Sequence, residues 1–384
     1  MKRILIFSLA YYPSFVSGAE AAIKEITDRI APDDIEFHMV THLFDRNAPR
    51  EELIGNVHVH RIGFGGTYLS KIFFVPLAAL KARALHNKLR FDVLWAMMTY
   101  MLFPTVLAKA FGVRAPHILT LQDGDPYEKV FGRWFILPVA PLLNYGFRTA
   151  SVIQVISQYL ATWPTRRGYK GKIVLVKNGA NPNDLKQAFS QAEIAKIANE
   201  LGKKEGEIFL VNTSRLVHQK GIDTTIEALQ YLPKNVKFIA VGAGADEEKL
   251  KELTKRLGLT DRVVFTGQVD RAIVTLYRKS CDIFVAPSRS EGLGNAFVSA
   301  LASKLPLVTS GVGGIADYAI DGETAWIVPP NDPQALAGKI KEVIANPEKA
   351  RKISERARAM VERDYDWDKI ARQMRAYVFG MVCT

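Results

Sequence analysis

Apolar residues along this chain fall into short runs separated by helix-like patterns, and the alternation occurs twice. The first series predicts strands over 2–9, 37–41, 54–62, 91–95, 116–121, 152–156 and 172–176. Helical spacing lies between them, over 19–31, 71–89, 99–111 and 157–169. A polar, helical stretch over 181–207 ends in GKKEGE and reads as a connector. The rhythm then restarts, with strands over 208–213, 236–241, 263–265, 283–286 and 305–309. Helices are expected over 222–232, 247–257 and 272–279, with another closing near Ala302. Asp332 as N-cap and Pro333 at the first helical position open a mostly helical end. This is an α/β chain with two parallel-sheet domains facing a central cleft. Its 384 residues exceed one comfortable α/β core, which agrees with two domains.

The chain is organised around residues 281–330. A strand ends at a Pro-Ser turn, then come Glu291, Gly292 and Gly294, a helix, a second strand, and Gly311, Gly313 and Gly314. A carboxylate and bare backbone N–H groups thus sit at the carboxyl ends of neighbouring strands, where open α/β sheets bind ligands. A phosphate-bearing sugar donor is expected there. Arg215 and Lys220 lie between a strand and a helix in NTSRLVHQKG. Two cations beside a helix N-terminus suit a leaving diphosphate, although solvated loop cations look the same in sequence. Glu291 suits sugar hydroxyls, or equally the dipole of the helix after it. Gly18 separates the first strand and helix. Gln122, Asp123 and Asp125 occupy the turn QDGDP, where Asp125 reads equally as a turn cap. Asn178-Gly179 reads as a turn, and Gly242 and Gly244 form a lone GxG.

Charge and composition narrow the partners. The net charge is +12, and residues 1–180 carry +9 of it, with 22 Lys or Arg against 13 Asp or Glu. No zinc finger, helix-turn-helix or aromatic-basic sheet motif accompanies that charge, so nucleic acid is not an expected partner. Basic charge with aromatic stretches at 68–74, 97–103 and 131–147 instead suggests docking on an anionic leaflet; the competing reading makes those aromatics core. Four uncharged runs, 4–19, 93–108, 134–147 and 149–165, all contain proline and fall short of the roughly 18–20 apolar residues of a spanning helix. The basic, apolar start reads as a first strand, not a secretory signal. Cys281 and Cys383 offer no disulfide framework, and a cytoplasmic location is expected. No metal is expected: the seven histidines show no ligand spacing, and His58 with His60 on one strand face is too little.

The stretch 208–330, with Arg215-x4-Lys220, SEGLG and the glycine loops, resembles the donor-binding region of the retaining GT-B glycosyltransferases, the large family 4 group. The resemblance covers nearly the whole chain. It implies two Rossmann-like domains: 1–183 for the acceptor, 184–205 as connector, 206–365 for the nucleotide-sugar, and 366–384 as a C-terminal helix packing back on the first. It implies that Arg215 and Lys220 bind the donor diphosphate, and that Glu291 contacts the sugar. Gly18, Gly242, Gly244, Gly292, Leu293, Gly294, Asn295 and Ser299 are then donor-binding, and Gln122, Asp123, Asp125 and Asn178 lie on the acceptor side. Two positions depart from the family. Ser299 stands where a second glutamate is usual, and Gln122 stands where histidine is common. The implied activity is retaining, metal-independent transfer of a hexose-type sugar from a UDP- or GDP-linked donor, with no cofactor. The expected acceptor is a glycan or lipid-linked sugar in envelope polysaccharide or glycolipid synthesis, met at the inner face of the membrane. A catalytically silent donor-binding scaffold, a sugar-nucleotide epimerase and a phosphorylase remain as alternatives.

Overall fold

The computed structural model describes residues 1–13, 17–186 and 189–382. Cys383, parts of the 4–19 run and Gln187 and Ala188 of the expected connector lie outside them. The chain divides into two compact units, the first comprising 1–178 with 367–384 and the second 179–366. Residues 179–205 therefore belong to the second unit, and no separate connector is set apart.

The first unit holds strands β1 (Lys2–Phe7), β2 (Ile35–His42), β3 (Glu51–Ile54), β4 (Val57–Ile62), β5 (Val93–Met97), β6 (His117–Leu121), β7 (Val152–Val155) and β8 (Lys172–Leu175). They form one sheet in the order β3-β4-β2-β1-β5-β6-β7-β8. Every pairing is parallel except β3 with β4. The single strand expected over 54–62 is thus the second arm of a hairpin, because Gly55 adopts φ +57° and turns the chain. β5 and β6 are buried at every position, as two-sided coverage by helices demands. The order reverses between β1 and β5, so their carboxyl ends flank the crevice of this unit.

The tail completes this unit's core. The helix Trp367–Gln373 runs into a π-helical stretch, Met374–Phe379. Trp367, Ile370, Met374, Val378 and Phe379 are buried with β1, β2 and β5 residues. Phe379 meets Trp95 edge-on with ring centroids 5.0 Å apart. Ion pairs Arg29–Asp368 at 2.7 Å and Arg375–Asp34 at 2.5 Å hold its rim.

The second unit holds β9 (Ile208–Thr213), β10 (Val236–Val241), β11 (Val263–Gly267), β12 (Ile283–Ala286), β13 (Leu307–Ser310) and β14 (Trp326–Val328). The order is β11-β10-β9-β12-β13-β14, all parallel, with the reversal between β9 and β12. A buried ion pair anchors the segment after Gly179. Asp184 accepts from Arg278 Nε at 3.1 Å, and a second Arg278 nitrogen donates to its other oxygen. Ser303 Oγ donates to Asp184 at 2.5 Å. Both ions are at least 97% buried, so these three hydrogen bonds, with a fourth from Arg278 to Thr213 Oγ1 at 3.1 Å, replace their lost hydration.

Candidate donor site and the loops around it

The reversal between β9 and β12 brings two loops together. The loop after β9 passes Ser214, Arg215 and Leu216 to a 3-10 turn, His218–Lys220, and Gly221 begins the helix Ile222–Ala228 in a left-handed conformation. A Cβ on Gly221 would lie 2.2 Å from the Pro287 carbonyl oxygen, so only glycine lets the loops approach. Arg289 ties them. Its backbone N–H donates to the Gln219 carbonyl at 2.7 Å, and its guanidinium donates to the His218 carbonyl at 2.6 Å and to Asp223 at 2.8 and 2.9 Å. Sequence reasoning passed over Arg289, because its partners lie up to 71 residues away.

Lys220 and Glu291 meet in this frame. Lys220 Nζ donates to Glu291 Oε1 at 2.5 Å, and Ser288 Oγ donates to the same oxygen at 3.1 Å. The Glu291 side chain is 5% exposed and Lys220 15%. Neither charge faces bulk water alone, and removing either leaves the other poorly solvated. Arg215 is exposed and makes no ion pair among the described residues. The site thus offers one open cation, one cation held by a carboxylate, and a second carboxylate oxygen, Oε2.

Glycine packing fixes Glu291. Gly313 has φ +58°, and a Cβ there would lie 2.1 Å from the Glu291 carbonyl oxygen. Gly314 N–H donates to that carbonyl at 3.0 Å. The expected donor-facing role of the 311–314 loop is corrected at Gly314, whose N–H is spent on Glu291. Gly292 and Leu293 follow, and Gly294, at φ +82°, caps the helix Asn295–Ala302. Tyr318 Oη donates to the Leu293 carbonyl at 2.8 Å. Gly242 and Gly244 serve the neighbouring loop. Cβ atoms on them would each lie 2.2 Å from carbonyl oxygens, of Ser214 and Leu216. They let the loop after β10 lie against the Arg215 loop. Ser299 is buried on its helix, where its Oγ accepts from Asn181 N–H at 2.9 Å.

The first unit places its residues at its own reversal. Gly18 begins the helix Gly18–Thr27, where Glu20 accepts from Ser17 N–H at 2.7 Å. Gln122 Oε1 accepts from Asn178 Nδ2 at 2.8 Å, so these two sequence-read residues meet. Asp123 accepts from Thr99 Oγ1 at 2.9 Å, and burial pushes its carboxyl up to about 6. Asp125 pairs with Lys129 at 3.0 Å and Arg133 at 2.9 Å. Between Gln122 and Gly18, at the end of β5, Met98 adopts φ +70° and ψ 160°, a strained conformation for a side-chain-bearing residue. Nothing in the sequence signalled it.

Two doubly wound sheets, one with a paired cation and carboxylate at its switch point, define the GT-B class of glycosyltransferase. Residues 16–184 match the model for "Glycosyltransferase Family 4" and residues 193–360 that for "Glycosyl transferases group 1". The chain belongs to this family, whose activity is glycosyl transfer from a nucleotide-sugar. An uncharacterized glycosyltransferase of Methanocaldococcus jannaschii is 24% identical over 381 residues, covering 97% of each chain. A GDP-mannose-dependent alpha-(1-6)-phosphatidylinositol monomannoside mannosyltransferase of Mycobacterium tuberculosis is 26% identical over 260 residues, 64% of this chain and 66% of that one. Among solved structures, sucrose-phosphate synthase from Thermosynechococcus elongatus superposes with a TM-score of 0.88 at 22% identity, covering 99% of both chains.

Proposed function

We propose that this protein is a retaining hexosyltransferase that moves a sugar from a UDP- or GDP-linked donor to a lipid-linked or glycan acceptor of the cell envelope. The observation that carries the reading is the Lys220–Glu291 contact at the switch point of the second unit, with Arg215 open beside it in sequence. On donor binding, the diphosphate draws Lys220 Nζ and the Arg215 guanidinium. Their charge stabilises the leaving diphosphate, and transfer asks for no divalent ion at the phosphates. Glu291, released in part from Lys220, accepts from hydroxyls of the transferred sugar and orients it. The leaving phosphate takes the acceptor's proton on the same face, which retains the anomeric configuration. Gln122 then needs only to hydrogen-bond.

A lipid-linked acceptor is supported by the surface of the first unit. Tyr68, Leu69, Ile72 and Phe73 are exposed at the start of the helix Tyr68–Leu89, and Trp134 is 82% exposed. Such apolar side chains on a basic unit suit the boundary of an anionic leaflet. Among the described residues no helix is long and apolar enough to cross a membrane.

The test is release of nucleoside diphosphate from a panel of UDP-, GDP- and ADP-sugars, with and without lipid extract and without added divalent cation. Release from one donor, stimulated by lipid and lost in R215A/K220A, is expected. Nucleotide binding with no release from any donor points to the silent donor-binding alternative. Release that survives the double variant overturns the assigned roles.

A further inference from the structure

Away from the donor loops, β2, β3 and β4 gather three histidines and two glutamates at the edge of the first sheet. Parallel pairing sets His38 opposite His58, and antiparallel pairing sets Glu51 opposite His60. The strand period of two keeps Glu36 with His38, and His58 with His60, on one face. The His38 ring stacks on His58 at 4.8 Å and on His60 at 5.5 Å. Polar contacts run in a line. Glu36 Oε1 lies 2.9 Å from His38 Nε2, His38 Nδ1 lies 3.2 Å from His60 Nε2, and His60 Nδ1 lies 3.1 Å from Glu51 Oε1.

With both imidazoles neutral, that line is one hydrogen short. An ionised carboxylate only accepts, so both outer contacts must be donated by imidazole, through His38 Nε2 and His60 Nδ1. A neutral imidazole carries one N–H, and both are then spent. His38 Nδ1 and His60 Nε2 are left facing each other, lone pair to lone pair. His38 and His60 are both buried, so water offers little relief.

A cation between Glu36 and His38 removes the shortfall. His38 Nε2 then gives its lone pair to the metal, and its hydrogen sits on Nδ1, donated to His60 Nε2. His60 in turn donates to Glu51. His60 and Glu51 become the outer hydrogen-bonded partners that orient a ligating histidine. Arg3 Nε holds Glu36 Oε2 at 2.7 Å, which leaves Oε1 for the ion. Lys81 Nζ holds Glu51 Oε1 at 2.7 Å, behind His60. His58 supplies a third ligand. One ligand atom from each of Glu36, His38 and His58 lies within 4.8 Å of the others. His58 is solvent-exposed, so its ring has room to turn toward the pair.

We propose that Glu36, His38 and His58 form a divalent transition-metal site, with zinc the ion this donor set suits and solvent completing its coordination. Two imidazoles and one carboxylate favour zinc over magnesium or calcium, which take all-oxygen sets. The site fastens β2 to β4 and holds no residue of the donor loops, so its role is structural.

The experiment titrates untagged, chelator-stripped full-length protein with Zn2+ alone, by calorimetry and by thermal melting. One Zn2+ per chain and a higher melting temperature are expected. His58→Gln, at an exposed position that leaves the fold intact, should weaken binding at least about tenfold. His60→Gln removes no ligand and should also weaken it. Co2+ bound in place of zinc reports the ligand set through its visible absorption, which H58Q should change. No stoichiometric binding by the wild-type chain overturns the proposal, as does binding that H58Q leaves unchanged.

Discussion

Lys220 neutralises a nearly buried carboxylate and, in the proposed mechanism, also meets the donor diphosphate. Lys220→Met should lower nucleoside diphosphate release at least about 100-fold, the scale of losing one well-placed transition-state contact. It should also destabilise the second unit by on the order of 3 kcal/mol, since Glu291 is left unpaired. Adding Glu291→Gln should restore much of the melting temperature and none of the activity. A double-mutant cycle followed by melting and by nucleotide release separates these effects. His117 tests the first unit in the same terms. Its Nε2 donates to the Gly146 carbonyl at 2.9 Å, and burial, with Lys109 3.3 Å from Nδ1, holds its pKa down to about 4. Between about 6.5 and 4 the unfolded chain takes a proton that the folded one refuses. Stability from this group is therefore present above about 6.5 and falls with acid, by on the order of 3 kcal/mol at full extent. His117→Gln should flatten the acid limb of melting temperature against pH. At this scale the loop positions of Arg215, Lys220 and Glu291, just after strand ends, were legible in the sequence. The Lys220–Glu291 contact was not, since its partners lie 71 residues apart. Neither was the histidine line, which exists only once β2 and β4 pair.

Strand and helix patterns were legible where burial imposed a period. The expected strands 208–213, 236–241 and 283–286 match β9, β10 and β12 residue for residue. Short or edge elements were not. β14 has three residues, too few for any periodicity, and the hairpin at Gly55 hid inside one alternating run. The helix Tyr68–Leu89 starts before the expected 71, because Thr67 Oγ1 accepts from Ser70 N–H at 3.2 Å. The polar stretch after Asn178 read as a linker, because the contacts that anchor it reach residues 94 to 174 positions further along the chain. Asp184 sits in the helix Pro182–Lys186, too short to stand alone, and gains its place through Arg278 and Ser303. Asp184→Ala leaves the Arg278 guanidinium buried without its carboxylate. It should cost about 3–5 kcal/mol, read as a lower denaturation midpoint of the full chain.

At the scale of the whole molecule, the basic excess and most of the exposed large apolar residues fall on the same unit. Residues 1–180 carry +9 of the +12 charge, and Ile72 and Phe73 are each 52% exposed. If this surface meets an anionic leaflet, Ile72→Asp with Phe73→Asp should reduce co-sedimentation with phosphatidylserine-containing vesicles at least about tenfold, the worth of burying one such side chain. Release from a water-soluble donor should be spared. Equal sedimentation of variant and wild type would remove the membrane from the account. The division into units has a further consequence, which concerns synthesis. Phe379 closes over Trp95 and Phe37, yet the 188 residues of the second unit are translated before it. At 5–20 residues per second, the nascent first unit waits roughly 10–40 s with that apolar seat uncovered. A ribosome stalled inside the second unit would hold out an unfinished core, open to whatever chaperone or neighbouring nascent chain reaches it first.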